Sequence, residues 1–288
     1  MYPKAFDYLR ATSVEHAIVL LVEHGEEARL LAGGASLIPL MKLRLANPSH
    51  VIDVARLPGL AEVRREDGTF VVGALTRHAE LERNAELGVA LPIVHDAAAH
   101  IGDAQVRNMG TIGGSIAECD PAGDWPPVLL ALDGAVRARG PRGERTIPAS
   151  ELFLDAYTTA LEHDELLTEV LLPVPQARFG SAHLKLERRA GDFAIANCSV
   201  SVSMEGGRCA TIRIGLGGVG ACPLRVPTAE ALLTGQLPND ELLDRAAHAV
   251  TEATDSFDDA RGSAGYRRHV GGVLFRRAFE LARQRAGG

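Results

Sequence analysis

An amphipathic pattern over 14–24 predicts a helix, with Thr12-Ser-Val-Glu15 in the form of a capping box before it and Gly25 as its stop. A short apolar run at 28–32, an amphipathic segment at 36–45 halted near Pro48, and a second apolar run at 51–54 read as strand, helix, strand. Such a crossover favours a small parallel layer with its ligand at the C-terminal end of a strand. From Gly68 the period changes. Residues 69–75 read as a strand, 79–101 as helix interrupted near Gly88 and Pro92, 128–132 as an apolar helix, and 135–139 with 145–147 as a hairpin around Gly140-Pro-Arg-Gly143. A further strand is expected at 166–172, and Pro173-Val-Pro175 marks the expected domain boundary. Beyond it, alternation over 183–188, 199–204 and 211–216 predicts a three-stranded sheet whose last two strands turn antiparallel through Glu205-Gly-Gly-Arg208. Helices at 228–233, 241–253 and 266–285 back that sheet, and the expected fold class is α+β.

Two stretches interrupt this pattern in the same way. An apolar run ends in Gly33-Gly34-Ala35-Ser36 and another in Gly113-Gly114-Ser115, each followed by an amphipathic segment, so each is expected to be a sharp backbone turn. Glycine permits positive φ and has no Cβ to block a ligand, so successive amides can converge on one anion, with a helix N-terminus behind adding donors. Read singly, each favours an ordinary tight turn; read together, about eighty residues apart, they could hold the two ends of one pyrophosphate.

Composition narrows the class. A chain of 288 residues, 46% hydrophobic and 23% charged, is an ordinary globular protein of one large domain or two to three smaller ones. Its formal charge of −7 argues against a nucleic-acid or anionic-membrane surface. Cys119, Cys198, Cys209 and Cys222 lie far apart and never form C-x-x-C, which gives no zinc or iron–sulfur signature. Neither a signal-peptide pattern nor an apolar run of membrane-spanning length is present, and the cytoplasm is the expected compartment.

Several catalytic signatures fail on inspection. Gly215-Leu-Gly-Gly-Val-Gly220 satisfies G-x-G-x-x-G after a strand, but the dinucleotide fingerprint needs a helix at once, and the prolines of Ala-Cys-Pro-Leu-Arg-Val-Pro227 forbid one. Lys4, Lys42 and Lys185 follow Pro, Met and Leu, so there is no P-loop, and no serine sits in G-x-S-x-G. The histidines show no metal-ligand spacing, and no carboxylate pair can be given acid and base roles.

The segments taken together have a counterpart. Ala32-Gly-Gly-Ala-Ser36 and Thr111-Ile-Gly-Gly-Ser115, with Gln105-Val-Arg-Asn108 before the second and Asp120-Pro-Ala-Gly-Asp124 after it, resemble the FAD-binding medium subunit of molybdenum hydroxylases, the carbon monoxide and xanthine dehydrogenase relatives. Lys185-Leu-Glu-Arg-Arg-Ala-Gly-Asp-Phe193 and Pro223-Leu-Arg-Val-Pro227 extend the resemblance over the whole chain. It implies a PCMH-type FAD-binding domain over 1–175, built of two α/β subdomains (about 1–57 and 58–175), and a C-terminal α+β domain over 176–288. Carried over by position, Ala32, Gly33, Gly34, Ala35 and Ser36 with Thr111, Ile112, Gly113, Gly114 and Ser115 would wrap the FAD pyrophosphate through backbone amides and serine hydroxyls. Asp124, Leu167 and Lys185 match positions along or near the flavin, and Phe193 falls in a loop that shields the flavin ring in relatives. Each also has a plain structural alternative: a helix cap for Asp124, an apolar strand position for Leu167, a solvated strand residue for Lys185, core packing for Phe193. Position 35 is frequently His or Gln in relatives and is Ala35 here.

The resemblance further implies a division of labour. A large subunit would oxidise substrate at a molybdenum cofactor, a small subunit with two [2Fe–2S] clusters would pass electrons singly, and this chain's FAD would collect and deliver them, in a dimerised heterotrimer. A cation such as Lys185 near the ring would favour the anionic reduced flavin. A stand-alone flavoenzyme of the same superfamily, or a scaffold subunit that has lost its flavin, stay open on the residues alone.

Overall fold

A computed structural model describes residues 2–175 and 178–287. Its first layer is a parallel sheet in the order Asp7–Arg10, His50–Asp53, Ala28–Leu31. The helix Val14–His24 packs Ala17, Ile18 and Leu21 inward, and Gly25 ends it at φ 53 as the pattern predicts. Its cap lies one residue later than expected: the Ser13 hydroxyl, not Thr12, accepts the His16 amide. The second helix, Leu37–Leu43, is shorter than the apolar pattern implied because Arg44 turns left-handed at φ 63.

The second layer is an antiparallel sheet in the order Val63–Glu66, Thr69–Gly73, Leu166–Pro173, Ala135–Gly140, Gly143–Pro148. The expected hairpin around Gly140–Gly143 is its far edge. Three short helices, His78–Arg83, Ala85–Ala90 and Pro92–Ala99, replace the interrupted helical stretch, with Pro92 seated at a helix start where its missing N–H costs nothing. Together with Trp125–Ala131, which is buried throughout, they cover the sheet and form one core with Phe70, Val72, Val136 and Val170.

The C-terminal layer has four strands rather than three. Phe179–Leu186, Ala196–Glu205 and Arg208–Gly217 are antiparallel, and Leu224–Arg225 adds a short fourth against Gly215 and Leu216. Helices Pro227–Leu233, Asp240–Glu252 and Ala264–Arg285 seal one face with Val250, Leu274, Phe275 and Phe279. The other face lies against the second layer: a Cβ on Gly215 would stand 2.9 Å from the Pro127 carbonyl carbon, and the Gly218 amide donates to the Pro121 carbonyl at 2.6 Å. The G-x-G-x-x-G stretch is therefore a packing seam, and no helix begins until Pro227. The expected boundary after Pro175 adjoins Gln176 and Ala177, outside the described residues.

Candidate functional site

The strand Ala28–Leu31 runs in parallel register with His50–Asp53 and delivers Ala32 to Ser36 at its C-terminal end. Gly34 takes φ 72, so the chain reverses there without a Cβ penalty. Ala35 is exposed and its methyl group meets solvent. Among the described residues, the amides of Gly33, Gly34, Ala35 and Ser36 donate to no backbone or side-chain acceptor. They are four consecutive N–H groups without an acceptor at the C-terminal edge of a parallel sheet, the backbone chemistry that can take up an anion.

The second motif is not a turn of the same kind. Thr111 caps the helix Ile112–Glu118, and Gly113 and Gly114 lie inside its first turn with ordinary negative φ. The Ile112 amide donates to the Thr76 carbonyl (3.1 Å), Gly113 to Ala74 (2.9 Å), Gly114 to the Thr111 hydroxyl (3.1 Å) and Ser115 to the Thr111 carbonyl (3.1 Å). Those amides are committed to the fold, so this motif presents chiefly the exposed backbone of Gly114 and the half-buried Ser115 hydroxyl. Gly113 is needed for another reason: a Cβ would come 2.7 Å from the Ala74 carbonyl oxygen.

The two motifs meet. A Cβ on Gly33 would lie 2.8 Å from Gly110 Cα, inside contact distance of the Met109 carbonyl. The Arg77 guanidinium donates to that same carbonyl, and the Ser36 hydroxyl donates to Glu118 Oε2 at 2.5 Å. Arg77 and Glu118 thus flank the junction, and no sequence signal marked either: they belong to neither glycine motif, and Glu118 lies 82 positions from its partner.

Behind the second motif stands a buried pair. Trp125 Nε1 donates to His78 Nδ1 at 3.0 Å, fixing the neutral tautomer, and a Cβ on Gly110 would be 2.7 Å from His78 Nε2. Burial first, with the nearby charges of Arg77 and Arg107, pushes the His78 imidazole down to about 4, the Asp124 carboxylate opposing. A histidine with a depressed native pKa contributes stability that is present above its unfolded value near 6.5 and lost as pH falls toward about 4. The loss should reach about 2 kcal/mol by pH 5. Urea unfolding of His78→Gln between those pH values should lack this part of the slope, and an unchanged slope would show that His78 is not its source.

Asp124, Lys185, Leu167 and Phe193 fall in different settings. Asp124 and Lys185 come together: the ammonium donates to Asp124 Oδ2 (2.9 Å) and the His100 carbonyl (3.0 Å) and pairs with Glu187 (3.4 Å). Asp124 Oδ1 meets His183 Nε2 (3.3 Å) and accepts from Asn197 Nδ2 (3.2 Å). Burial alone would raise the Asp124 carboxyl, but the His183 hydrogen bond and the Lys185 charge outweigh it and hold it below the usual carboxylate range. Asp124 stands at the N-cap of the following helix but its side chain makes no cap hydrogen bond, and Lys185, with a side chain 2% exposed, is not solvated. With two carboxylates against one ammonium, the Lys185 charge is balanced where it stands. His183 was legible in principle, since it shares a strand face with Lys185 at a spacing of two. Leu167 is buried in the second-layer core at an irregularity in strand pairing. Phe193 is 43% exposed, with the Arg261 guanidinium 5.6 Å above its ring, so it is not a core residue.

The sequence and the fold have counterparts among known proteins. Residues 4–175 match the model of the FAD binding domain in molybdopterin dehydrogenase, and residues 181–282 match the CO dehydrogenase flavoprotein C-terminal domain. The chain belongs to the FAD-binding medium-subunit family of the molybdenum hydroxylases. It is 42% identical over 286 residues, 99% of each chain, to the carbon monoxide dehydrogenase medium chain of Afipia carboxidovorans. It is 41% identical to the 6-hydroxypseudooxynicotine dehydrogenase complex subunit alpha of Paenarthrobacter nicotinovorans, over 99% of this chain and 97% of that one. The carbon monoxide dehydrogenase structure from Hydrogenophaga pseudoflava superposes at a TM-score of 0.97, with 41% identity and 99% of both chains covered. FAD is the cofactor of this family, and the residues present have the chemistry its diphosphate asks for: four amides without an acceptor at Gly33 to Ser36, a side-chain-free Gly33 packed against the Met109–Gly110 backbone, and the Ser115 hydroxyl. Among the described residues, no helix is long and apolar enough to cross a membrane.

Proposed function

We propose that this medium subunit carries the FAD through which a multi-subunit molybdenum hydroxylase discharges its electrons. They arrive from the [2Fe–2S] clusters of a small subunit and leave to an external acceptor, while substrate is oxidised on a large molybdenum-cofactor subunit, the whole a dimerised heterotrimer. Bound FAD supplies a carrier that can take electrons singly and release them in pairs. The chain's own part is position and electrostatics. The amides of Gly33 to Ser36, with Ala32 beneath them, hold the diphosphate, and Thr111 to Ser115 close over it as a rigid helix start. The 1–175 region forms the FAD-binding domain, and the 176–288 region contributes Lys185 and Phe193 from its first strand and the loop beyond. Asp124, with Lys185 fixed against it, and the backbone at Leu167 line the flavin side.

The observation that carries this reading is the contact between Gly33 and the Met109–Gly110 segment, which joins two remote glycine motifs at one unspent row of amides. Relatives of nearly equal identity, 42% and 41%, bear names with chemically unrelated substrates, which agrees with substrate choice lying on another chain. The purified chain reconstituted with FAD should show a flavin spectrum and be bleached by substrate only when the two partner subunits are present. Turnover of substrate by this chain alone would overturn the proposal.

A further inference from the structure

The Ser36–Glu118 hydrogen bond ties the first glycine motif to the far end of the helix that carries the second, and the link sets a problem for any diphosphate bound there, a point that rests on the site reading above. A serine hydroxyl has one proton to donate. Here it goes to Glu118 Oε2 at 2.5 Å. An ionised carboxylate and a phosphate oxygen are both acceptors only, so Ser36 cannot serve both, and the two anions would face each other across one oxygen. A proton on Glu118 removes the conflict: the carboxyl O–H donates to Ser36 Oγ, and the Ser36 O–H donates to the phosphate.

The surroundings of Glu118 favour that proton. It ends the helix Ile112–Glu118, where the helix dipole disfavours negative charge. Asp120 follows in the next loop, and Tyr157, in the turn of a small hairpin of Phe153–Asp155 and Thr158–Thr159 packed against this helix, donates to Asp120 Oδ2 at 3.2 Å. Asp155 stands in the same hairpin. On the other packed elements, Lys42 is exposed on Leu37–Leu43, Glu169 on the Leu166–Pro173 strand is paired with Arg64 and Arg137, and Trp125–Ala131 has no charged residue. None of these pairs with Glu118 among the described residues. Burial, aided by the charge of Asp120, raises its carboxyl above the ordinary range, the Ser36 hydrogen bond acting the other way.

We infer that FAD binding is coupled to the uptake of one proton by Glu118, which becomes the first donor in a chain from Glu118 through Ser36 to the diphosphate. The proton comes from solvent and stays on the carboxyl oxygen; no other bond changes. The test uses the full chain stripped of flavin and titrated with FAD, following flavin fluorescence quenching from about pH 5.5 to 8.5. Wild-type affinity should fall with rising pH, by up to about tenfold per unit once the free carboxyl is ionised. Glu118→Gln, whose amide donates to Ser36 at every pH, should bind about tenfold or more tightly than wild type near pH 8 and show no such slope. Wild-type calorimetry in two buffers of different ionisation enthalpy should report net proton uptake approaching one, a readout that needs no variant to fold. Tight FAD binding without proton uptake, or the same slope in wild type and Glu118→Gln, would overturn the coupling and leave the site standing. No FAD binding by wild type at any pH would overturn the site and the coupling with it.

Discussion

Gly33→Ala should weaken FAD binding by about a hundredfold or more, equivalent to at least about 2.7 kcal/mol, while the chain stays folded. The new Cβ would lie 2.8 Å from Gly110 Cα and 2.9 Å from the Met109 carbonyl carbon, nearer still to the Met109 oxygen. All three are backbone atoms, and none can rotate aside as a side chain would. The two loops must part, and the Met109 carbonyl is further pinned by the Arg77 guanidinium. Displacing the amides of residues 33–36 by even about an ångström spoils convergence on one anion. Because Gly33 has no positive φ, alanine is locally acceptable there, and the whole penalty arises at the junction. Gly34→Ala makes the contrast. Its φ of 72 strains an alanine, but its nearest neighbours, Ile38 Cδ1 at 2.7 Å and Leu31 Cδ1 at 3.1 Å, are ends of flexible side chains. It should lose less flavin than Gly33→Ala. Flavin-to-protein ratio after gel filtration, with thermal unfolding followed in parallel, separates the two effects. Full flavin retention in Gly33→Ala would remove the junction from the binding site.

The same glycine pair in the sequence proved to be two different structures, and the reason lies in the residues flanking each pair. After Gly34 the chain has no capping side chain, since Ser36 bonds Glu118 instead, so the turn stays open and its amides stay free. Before Gly113 stands Thr111, a good cap, and the helix begins within the motif and uses the amides itself. Local propensity read this way predicts which motif keeps its backbone amides free; glycine content alone does not. Elements with long periodic patterns were legible, the helix Val14–His24 and the three C-terminal helices above all. Those set by tertiary pairing were not. Asp7–Arg10 is mostly exposed and shows no alternation, and Leu224–Arg225 is two residues long. G-x-G-x-x-G is followed by no helix until Pro227, and its glycines serve the fold by letting Pro121 and Pro127 approach the C-terminal sheet. Asp124 and Lys185 came to notice only through the family resemblance, because a buried ion pair 61 positions apart leaves no periodic trace.

Lys185→Met should cost about 3–5 kcal/mol of stability, the usual cost of leaving a buried charge without its partner. The methionine fills the same volume with a polarizable apolar chain, so loss of packing is not the cause. What remains is an Asp124 carboxylate, 6% exposed, with Asn197 and His183 beside it but no ammonium. Apparent Tm should fall by roughly 10 °C. Asp124→Asn should be comparably damaging for the converse reason, since it leaves the cation with Glu187 alone at 3.4 Å. The double variant Asp124→Asn/Lys185→Met should then be less destabilised than the sum of the two, because it buries no unpaired partner. The acid limb supplies a second, independent reading. Asp124 has a depressed native pKa, so its contribution is present above its unfolded value of 3.8 and lost as pH falls through the lower native one. Asp124→Asn should therefore flatten the loss of stability below about pH 4 as well as lowering stability at neutral pH. The pair joins the Trp125 segment and the His100 carbonyl to the first strand of the C-terminal sheet, so its loss should also loosen the seam that places Phe193. A Lys185→Met protein within about 1 kcal/mol of wild type would show that solvent reaches Asp124, and the seam would then owe its order to apolar contact alone.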